Sequence, residues 1–561
     1  MKILILGGYG TFGGRLAYLL AADERLTLVI AGRSVQRADT LCKQLPPGAQ
    51  RFPLLFDRDG NVDEQIRDTH PDLVVDASGP FQSYGEDPYR LVKACIANAV
   101  HYMDLADGSD FVKNISQFDE QAKAKNIFIL SGVSSFPLLT AAVVRRLSQN
   151  LVQIDTIKGG IAPSSYAGVG LNVIRAIAAY SGKRLQVRRN KGQSNAYALT
   201  ETLRYTIGPP GYIPLENKLF SLVDVPDLQV LPELWPDVDS VWMGAGPSPE
   251  ILHRMLIGLA WLVRIGLLPS LLPFARLIYF VSNTVRWGEH RGGMFVSIEG
   301  CDRNGKKIKR SWHLLAEGDH GPLIPSMAVE ALVRRSLAGQ MPVPGARPAA
   351  RDLELEDYET TFRNRTIYTG QRERTGDSEQ EPLYQRLLGS AWNSLPESLK
   401  RLHGSQRAEG RATVQAGRNL LALLVRKLFG FPESGRDILV QVSFQRKDGV
   451  ERWIRTFSGT SFSSLQSEGQ GLSEKLLNEQ FRLFTLGFAL VTDAGKLCLV
   501  IRRWSILGLP LPLSLAPRGN LFESDEEGRF CFHVEITHPI TGLIVQYQGW
   551  LVPQEDLSFR A

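Results

Sequence analysis

A glycine-rich run near the start of the chain has the spacing G-x-G-x-x-G, which suits the binding of a pyrophosphate. In such a run the first glycine permits a tight turn, the second lets the backbone approach the phosphates, and the third lets a helix pack close to a strand. The N–H groups at the start of that helix then face the anion. The predicted loop consists of Gly8, Tyr9, Gly10, Thr11, Phe12 and Gly13.

The residues around this loop predict the elements that hold it in place. Residues 2–6 form a short apolar run that is typical of a buried parallel strand, and residues 15–22 follow as a helix. A second apolar run at 26–31 predicts the next strand. A strand, a glycine loop, a helix and a second strand in this order predict the start of a dinucleotide-binding fold. The alternative is a glycine-rich turn that binds no ligand.

The second predicted strand is followed by Arg33 and Ser34, at a place where NAD-binding folds carry an acidic residue. A guanidinium here suits the 2′-phosphate of NADP better than the 2′-hydroxyl of NAD. One charge-assisted contact of this kind contributes roughly 1.5–3 kcal/mol, which is about a tenfold preference or more. The sequence therefore predicts NADP(H) as the cofactor, with Ser34 as a further hydrogen-bond donor. The alternative for Arg33 is a solvated surface arginine.

Strand-like and helix-like segments alternate through residue 130 and predict a doubly wound parallel sheet. In such sheets, ligands lie at the carboxyl ends of the strands. The runs at 52–56, 73–76 and 102–105 are predicted strands of this kind. The residues expected at or just after their carboxyl ends are Asp57, Ser78, Gly79, Pro80, Phe81 and Asp104.

The longer segments around these residues together resemble the NADP-binding domain of saccharopine dehydrogenase. The resemblance is strong over residues 1–145, and it is closest to the saccharopine-dehydrogenase-like oxidoreductases, a group that includes the trans-acting enoyl reductases. It continues more thinly at 287–295 and 312–325. The segments that carry it are GGYGTFGG at 7–14, AGRS at 31–34, DASGPFQSYG at 76–85, LVKAC at 91–95 and HYMDL at 101–105.

The resemblance implies a Rossmann domain, a second α/β domain that binds substrate beside the nicotinamide, and hydride transfer. It places the pyrophosphate on the three glycines of the loop, and the 2′-phosphate on Arg33 and Ser34. It places Gly79, Pro80 and Phe81 beside the nicotinamide. The family's amino-acid reductases hold substrate carboxylates with arginines. Such a clamp is not identifiable in this sequence, so an amino-acid substrate is not expected.

Reduction of a double bond by hydride also requires that a proton be donated to the second atom of that bond. Tyr84, Asp104 and Tyr166 are candidate donors by their chemistry and by their expected positions near strand ends or in the glycine-rich segment 159–170. The alternative for each of them is a structural role. Water is another proton source, in which case orientation of the reactants would supply most of the catalysis.

Residues 251–283 are the most apolar part of the chain. A single membrane-spanning helix is not expected here. Arg264 and Arg276 would each cost roughly 2.5–3.5 kcal/mol near the bilayer centre, and Pro269 and Pro273 interrupt a helix. The sequence instead predicts two shorter segments. They would bury in a core, pair across a homodimer, or lie in a membrane interface.

The composition changes again towards the C-terminus. Residues 369–382 are polar and lack aliphatic side chains, as expected for a linker. From residue 438, short strand-like runs flank turn residues and predict a mainly antiparallel β domain that also carries helices. This region, over about 380–553, resembles a bacterial domain of unknown function that is appended to such reductases. An apolar sheet face here would suit binding of an apolar ligand, dimerisation of the chain, or docking of the domain onto another protein.

The predicted fold class is therefore α/β, with three domains. A Rossmann doubly wound parallel sheet is expected at 1–145, and an α+β substrate or dimerisation domain at 146–368. After the linker, the C-terminal domain is expected at 383–561. Within the second domain, two strand-like runs that flank Asn304-Gly305 predict a β-hairpin.

Composition excludes some classes of protein. The 561 residues carry a net charge of +6 without a block of like charges, so a nucleic-acid-binding arm is not expected. The five cysteines lack the spacing of a zinc site or a disulfide framework, so no metal site is predicted. Reduced thiols indicate a cytoplasmic protein, with the inner membrane surface as the alternative location through 251–283. The run at 2–6 is too short for the apolar core of a signal peptide.

The sequence thus predicts an NADPH-dependent oxidoreductase. Its substrate would be a hydrophobic, lipid-like small molecule with a C=N, C=O or conjugated C=C group. The alternative is a non-catalytic protein that binds NADP(H) for structure or sensing and acts as a membrane-associated scaffold.

Overall fold

The computed structural model describes residues 1–376 and 381–554. By their contacts the residues fall into two compact units. The first comprises Met1–Arg204 and Lys218–Tyr368. The second comprises Tyr205–Asn217 and the chain from Thr369 onwards.

The strands of the N-terminal two thirds of the chain form two large sheets and one small hairpin. In chain order these strands are β1 (Lys2–Leu6), β2 (Thr27–Gly32), β3 (Gln50–Leu55), β4 (Leu73–Asp76), β5 (His101–Asp104), β6 (Phe128–Ser131), β7 (Leu151–Ala162), β8 (Arg184–Arg189), β9 (Gly192–Tyr197), β10 (Thr202–Ile207), β11 (Leu215–Leu222), β12 (Ser240–Ala245), β13 (Arg291–Asp302), β14 (Lys307–Glu317), β15 (Gly345–Pro348) and β16 (Ile367–Thr375).

Helices connect and cover these strands. In chain order they are α1 (Thr11–Leu20), α2 (Val35–Gln44), α3 (Val62–Thr69), α4 (Arg90–Ala97), α5 (Ser109–Asn114), α6 (Asp119–Ala124), α7 (Thr140–Leu147), α8 (Leu171–Tyr180), α9 (Asp227–Leu234), α10 (Glu250–Arg264), α11 (Ala275–Thr284), α12 (Ile324–Leu337) and α13 (Leu355–Phe362).

The first sheet is parallel, with the order β15-β6-β5-β4-β1-β2-β3 in the described chain. Apart from β15, this is the strand order of a doubly wound dinucleotide-binding fold. Alternate residues of β1 enter two different apolar clusters: Ile3 and Ile5 enter one, and Leu4 enters the other. Helices therefore cover both faces of the sheet. The predicted Rossmann fold is confirmed.

The predicted elements of this sheet agree with the structure to within a few residues. The strand predicted at 73–76 has those bounds, and the glycine loop separates β1 from α1. The sequence does not predict β15 in this sheet. The chain returns at Gly345–Pro348 and pairs with β6. This strand covers a sheet edge that would otherwise be open.

The second sheet is mixed and runs β10-β11-β12-β7-β13-β14-β16 through the described residues. Its β13 and β14 form the hairpin that Asn304-Gly305 predicts, in register from Arg291↔Glu317 to Cys301↔Lys307. One apolar cluster contains Ile3 of the first sheet and also Trp312 of this one. The boundary between the two predicted domains at residue 145 stays a prediction, since a shared core joins the two sheets.

The apolar stretch 251–283 forms α10 and α11, with a short turn of 3₁₀ helix at Leu272–Phe274 between them. The prediction of two shorter segments agrees with this. Among the described residues, no helix is long and apolar enough to cross a membrane. Several large apolar side chains of the stretch face solvent: Ile251, Met255, Ile265, Leu267, Leu277 and Phe280.

The C-terminal unit is mainly antiparallel β structure. Its helices are α14 (Leu383–Leu388), α15 (Glu397–Gly404) and α16 (Leu420–Phe429). Its strands are β17 (Arg407–Ala416), β18 (Gly435–Lys447), β19 (Val450–Phe457), β20 (Thr460–Glu468), β21 (Leu477–Phe481), β22 (Phe484–Asp493), β23 (Lys496–Ile506), β24 (Leu509–Pro510), β25 (Leu521–Glu526), β26 (Arg529–His538) and β27 (Gly542–Pro553).

These strands close into a barrel. Across the described residues the order is β22-β21-β20-β19-β18-β17-β27-β26-β25-β23-β24, and β22 also pairs with β23. Ten strands therefore form a ring, to which the two-residue β24 is appended. Closure leaves the ring without exposed sheet edges.

The predicted antiparallel β domain is confirmed, although its closure and several of its strands are not predicted by the sequence. The helix α16 begins at Leu420, shortly after β17 ends at Ala416. The stretch 369–382, predicted as a linker, begins as the continuation of β16 to Thr375. Residues 377–380 of that stretch, and 555–561 of the predicted C-terminal domain, lie outside the described residues.

Candidate functional site

The glycine loop forms a tight cradle between β1 and α1. Gly7 has a φ of +67°, and the Gly10 N–H donates to the Gly7 carbonyl oxygen over 2.8 Å. A Cβ on Gly10 would lie 2.9 Å from that oxygen, and a Cβ on Gly13 would lie 2.8 Å from Cα of Gly8. Side chains at these positions would therefore collide with the loop.

The N-terminus of α1 opens onto this cradle without a capping side chain. Gly10 is the N-cap residue, and the first turn of the helix contains no acidic residue. The first N–H groups of a helix carry partial positive charge. The end of α1 therefore favours an anion such as a pyrophosphate.

The end of β2 carries a second feature that suits an anion. Arg33 is exposed, and no described side chain forms a hydrogen bond or ion pair with its guanidinium. The Tyr9 hydroxyl beside it accepts a hydrogen bond from the Ser34 N–H at 2.9 Å. The guanidinium of Arg37 lies 4.7 Å from the centroid of the Tyr9 ring. The sequence analysis assigns Arg33 to the 2′-phosphate but does not identify Arg37 as a candidate. The one feature of the sequence that could have identified Arg37 is its position in the first turn of α2.

Ser34 also has a local structural role. Its Oγ accepts a hydrogen bond from the Arg37 N–H at 3.4 Å and so caps α2. A cap of this kind stabilises the start of a helix by about 1 kcal/mol. The Ser34 hydroxyl also donates to Gln36 Oε1, with 3.3 Å between the two oxygens.

Asp76, at the end of β4, is the centre of a buried hydrogen-bond network. Its Oδ1 accepts from the Ser78 hydroxyl at 2.5 Å, and its Oδ2 accepts from the Tyr84 hydroxyl at 3.1 Å. Burial raises the pKa of Tyr84 well above its usual value, so the phenol keeps its proton. The Arg58 guanidinium lies 3.3 Å from the centroid of the Tyr84 ring. The network fixes the loop after β4, which carries Gly79 and Pro80.

Asp104, at the end of β5, is paired in register with Asp76 of β4. It is fully buried, and its Oδ1 accepts from the Gly132 N–H at 2.7 Å and the Ser131 hydroxyl at 3.0 Å. Its Oδ2 is buried and has no partner among the described residues. Burial raises the pKa of Asp104 to about 7. A pKa near 7 is the kind that suits a group which donates a proton at neutral pH.

The other predicted residues at the strand ends have different surroundings. Asp57 is exposed, and its Oδ1 accepts from the Asp59 N–H at 3.1 Å, which closes the turn after β3. Phe81 is buried, with its ring centroid 4.7 Å from that of Tyr84. Pro80, next to it, is half-buried. The structure thus brings the loop after β4 together with Asp104 and leaves Asp57 at the periphery.

Residues 167–172 lie over the glycine loop and the loop after β4. Arg15 of α1 donates to the Ala167 carbonyl oxygen at 2.7 Å. Asn172, at the start of α8, donates to the Gly79 carbonyl oxygen at 2.8 Å. These contacts place the end of the glycine-rich segment 159–170 beside the predicted cofactor residues.

Two family models match the chain. Residues 3–130 match the saccharopine dehydrogenase NADP binding domain, and residues 395–551 match a domain of unknown function, DUF4166. The residues that match the first model include nearly all of β1 to β6, six of the seven strands of the first sheet. The predicted family resemblance at both ends of the chain and the predicted cofactor, NADP(H), are thereby confirmed.

Individual relatives match parts of the chain. A candidate trans-acting enoyl reductase of Mycobacterium tuberculosis is 32% identical over 124 residues, which are 21% of this chain and 29% of that protein. The chain thus matches less than a third of the length of this relative. Apo saccharopine dehydrogenase (L-Glu forming) of Saccharomyces cerevisiae has 13% identity and a TM-score of 0.47, over 66% of this chain and 99% of that chain. A dehydrogenase of Thermus thermophilus, solved with NAD and alpha-ketoglutarate, has 11% identity and a TM-score of 0.29, over 64% and 94%.

Tyr166 lies in the loop that covers the NADP-binding domain, but its side chain contacts another segment. Its hydroxyl donates to the Arg286 carbonyl oxygen at 3.3 Å, and its ring centroid lies 4.5 Å from that of His290. The described contacts of Tyr166 therefore hold the loop to the residues after α11. Its predicted role as a proton donor stays a prediction.

A group of acidic residues beside the NADP-binding domain is not predicted by the sequence. Asp224, after β11, accepts a hydrogen bond from the Ser109 hydroxyl at the start of α5. Burial raises the pKa of Asp224 to about 6. Burial, with the charges of Asp224 and Asp107, also raises the pKa of the Tyr180 phenol. These residues come from separate segments of the chain, so no local sequence pattern could reveal the group.

Proposed function

We propose that this chain is an NADPH-dependent oxidoreductase that reduces a C=C, C=O or C=N group of a hydrophobic small molecule. The observation that carries the proposal is the glycine cradle next to an exposed arginine. The uncapped end of α1 favours a pyrophosphate, and the guanidinium of Arg33 lacks a partner among the described side chains. An acidic residue is the usual partner of a 2′-hydroxyl at this place, whereas an arginine suits a 2′-phosphate.

In this proposal the residues of the cradle bind the diphosphate, and the end of β2 binds the adenosine 2′-phosphate. NADPH, when bound, supplies the hydride. The residues assigned to the pyrophosphate are Gly8, Tyr9, Gly10, Thr11, Phe12 and Gly13. Those assigned to the 2′-phosphate are Arg33 and Ser34, with Arg37 beside them. Those assigned to the nicotinamide end are Ser78, Gly79, Pro80 and Phe81, and Asp57 borders the site.

The proton that accompanies the hydride is assigned to the buried carboxyl groups near the strand ends. Asp104 suits this role because its Oδ2 is unpartnered and burial raises its pKa to about 7. Asp224 is the second candidate, because burial raises its pKa to about 6. Tyr84 holds its proton more tightly, and its hydroxyl donates a hydrogen bond to Asp76, so we assign it to positioning the loop after β4.

The proposed acceptor is a conjugated C=C bond. The support for this choice is the name of the mycobacterial relative, an enoyl reductase, over the residues that the two chains share. A conjugated double bond takes hydride at carbon and a proton at the neighbouring atom, so a carboxyl with a pKa near neutrality suits the second step.

The exposed face of α10 and α11 favours a second candidate function. Met255 of α10 is 61% exposed and Phe280 of α11 is 64% exposed, which is unusual for large apolar side chains that lie close together in the sequence. Arg254 and Arg264 lie on the same helix, α10. Apolar and basic residues on one helix suit the surface of an anionic membrane, and the apolar ones also suit a second copy of the chain. A protein that binds NADP(H) as a membrane-associated scaffold or sensor would use this face.

Binding of NADPH and NADH, followed by nicotinamide fluorescence, tests the cofactor assignment. We expect wild type to bind NADPH at least tenfold more tightly than NADH, because one charge-assisted contact contributes roughly 1.5–3 kcal/mol. Arg33→Ala should weaken NADPH binding towards the NADH value and leave NADH binding unchanged. Arg67→Ala, an exposed arginine of α3 that pairs with Asp63, is the matched control.

A turnover assay with NADPH distinguishes the two candidate functions. Wild type with NADPH and a long-chain 2-enoyl thioester should lose nicotinamide absorbance in proportion to product formed. Tight NADPH binding without turnover of any C=C, C=O or C=N compound would favour the scaffold. Binding of neither nucleotide would overturn the proposed function.

A further inference from the structure

The barrel of the C-terminal unit encloses an apolar cavity of about 360 Å³. Cavities that bind small molecules range from about 300 to 1,000 Å³. Inward side chains of most strands line it, at alternate positions as in other barrels. On β26 the lining residues include Phe530, Phe532, Val534 and Ile536. A ten-stranded ring is wider than the eight-stranded barrels whose interiors side chains just fill, so space for a ligand remains.

One end of the barrel is closed by the helices that precede it. Tyr384 of α14 stacks on His403 of α15 with ring centroids 3.8 Å apart, and both rings lie near Trp453 of β19. His403 Nε2 lies 2.7 Å from Glu523 Oε2 on β25, which ties α15 to the barrel wall. A ligand therefore does not enter from this end.

The other end is crossed by α16. At its start, Asn419 donates to the Thr541 carbonyl oxygen in the turn between β26 and β27. At its end, the Phe429 ring centroid lies 5.1 Å from that of Phe484, at the start of β22. The same ring lies 6.4 Å from that of Phe481, at the end of β21, and β21 and β27 are five places apart in the ring of strands, thus on opposite sides. The helix therefore spans the mouth of the barrel, and its Val425 and Leu428 line the cavity below.

The outer face of this helix is also apolar. Leu420 is 85% exposed and Leu424 is 63% exposed, and Ala422 is the buried residue of the helix. A helix that is apolar on its solvent side is unusual in a soluble domain. Leucines on both the cavity side and the outer side suit a cover over which an apolar chain passes on its way into the barrel.

Inside the barrel, charges are paired but one polar atom is not. Arg455 donates to Glu479 at 3.1 Å and to Ser464 at 2.9 Å, so these groups satisfy each other. Gln466 is 1% exposed, and its Oε1 has no partner among the described residues. Gln466 lines the cavity, and its neighbours in register on the adjacent strands are Glu479 of β21 and Glu451 of β19. Glu451 in turn accepts a hydrogen bond from the N–H of Leu383, in the helix α14 at the closed end. The unpaired oxygen therefore lies towards the closed end.

We propose that the barrel binds the apolar chain of a long-chain lipid that carries a hydroxyl group, with α16 as the cover of the mouth and Gln466 as acceptor for the hydroxyl. The apolar lining removes the chain from water, at about 25 cal/mol for each Å² of apolar surface buried. A buried amide oxygen without a partner is costly, and a ligand hydroxyl removes that cost. This site lies wholly within the C-terminal unit and does not depend on NADPH.

Fluorescence of a dansylated undecanoic acid with the full chain tests the proposal. We expect saturable binding with a blue shift of the emission, and displacement by a hydroxy fatty acid at lower concentration than by the unsubstituted acid of equal length. Ile501→Trp fills the cavity and should weaken binding at least tenfold. Val500→Trp is the matched control, because Val500 is the next residue of β23, is also half-buried and does not line the cavity.

Several outcomes would overturn the proposal: no binding to wild type, equal loss in both variants, or equal binding by both. Should Ile501→Trp fail to fold, a photoreactive diazirine fatty acid applied to wild type gives a second readout. Adducts on the inward residues of β22, β23 and β26, removed by excess oleate, would support the site. Adducts confined to outward residues would refute it.

Discussion

The NADP-binding domain and the C-terminal barrel offer ligands two different kinds of space. In the first, a parallel sheet exposes its strand ends, and one short loop between β1 and α1 provides most of the proposed contacts to phosphate. In the second, inward side chains from strands around a ring share one cavity. The first space depends on backbone geometry at a few glycines. The second depends on a volume to which many side chains contribute.

This comparison predicts that the cofactor site is the more sensitive to one small change. A Cβ on Gly13 would overlap the Gly7 carbonyl oxygen and lie 2.8 Å from Cα of Gly8. Gly13→Ala should therefore weaken NADPH binding roughly a hundredfold or more, since the loop must move away from the pyrophosphate. Nicotinamide fluorescence measures this loss.

Gly14→Ala is the matched control for that substitution. Its Cβ would lie 3.7 Å from the Gly8 carbonyl oxygen, an ordinary contact, and it is also within α1. We expect unchanged NADPH binding and a gain in stability of about 0.5–1 kcal/mol. Equal binding by both variants would mean that the loop does not hold the pyrophosphate.

The same contrast explains what the sequence reveals. The spacing of Gly8, Gly10 and Gly13 and the position of Arg33 lie within a short segment, so they predict the cofactor site directly. Asp224 and Ser109 lie far apart along the chain, and only the fold joins them. Their candidate role was therefore beyond any local pattern.

In the barrel, local patterns predict strands but not their closure. Apolar and polar residues alternate over 530–536, as in a strand with one inward face, and the apolar ones line the cavity. Closure depends on pairings such as Ala408↔Pro553 between β17 and β27, which are distant in sequence. No turn or periodicity specifies such pairs, so an open apolar sheet and a closed cavity have the same sequence pattern.

The two regions also differ in how they bury charge. In the barrel, Arg455 pairs with Glu479, and His403 with Glu523. In the first unit, Asp227 is fully buried at the start of α9, and neither of its oxygens has a partner among the described residues. The Thr140 hydroxyl donates instead to the Ser135 carbonyl oxygen at 3.3 Å. Burial raises the pKa of Asp227 to about 8.

This difference predicts that the stability of the first unit depends on pH more strongly than that of the barrel. Because the folded-state pKa of Asp227 is raised, the folded state holds a proton that the unfolded state releases. Stability is therefore lost as pH rises from the usual aspartate range towards 8, by about 1.4 kcal/mol for each pH unit. Asp227→Asn keeps the shape without the charge and should raise the unfolding temperature of the first unit at pH 9, but not at pH 4.

Calorimetry of the full chain measures the unfolding temperature of the first unit at both pH values. The control is Asp59→Asn, because Asp59 is an exposed aspartate of the same unit. An equal effect of Asp227→Asn at both pH values would show that the carboxyl is not protonated in the folded state. The barrel transition should change little over this range.

The smallest expected effect concerns the one polar atom that the barrel leaves unpaired. Gln466→Met keeps the length of the side chain and removes the buried oxygen that lacks a partner. Leaving such a group unsatisfied costs about 1–3 kcal/mol, so the variant should unfold at a higher temperature than wild type when no lipid is bound. Gln441→Met, on the outer face of β18, should change neither stability nor binding.

The lipid preference then separates two roles for Gln466. If Gln466 accepts a hydrogen bond from the ligand, Gln466→Met should bind an unsubstituted fatty acid as tightly as wild type does. Its affinity for the hydroxy acid should fall about three- to tenfold, which corresponds to the loss of one hydrogen bond. Equal affinities for the hydroxy acid in both proteins would mean that the cavity selects its ligand by volume alone. The barrel would then differ from the NADP-binding domain more completely, because no single polar group would determine what it binds.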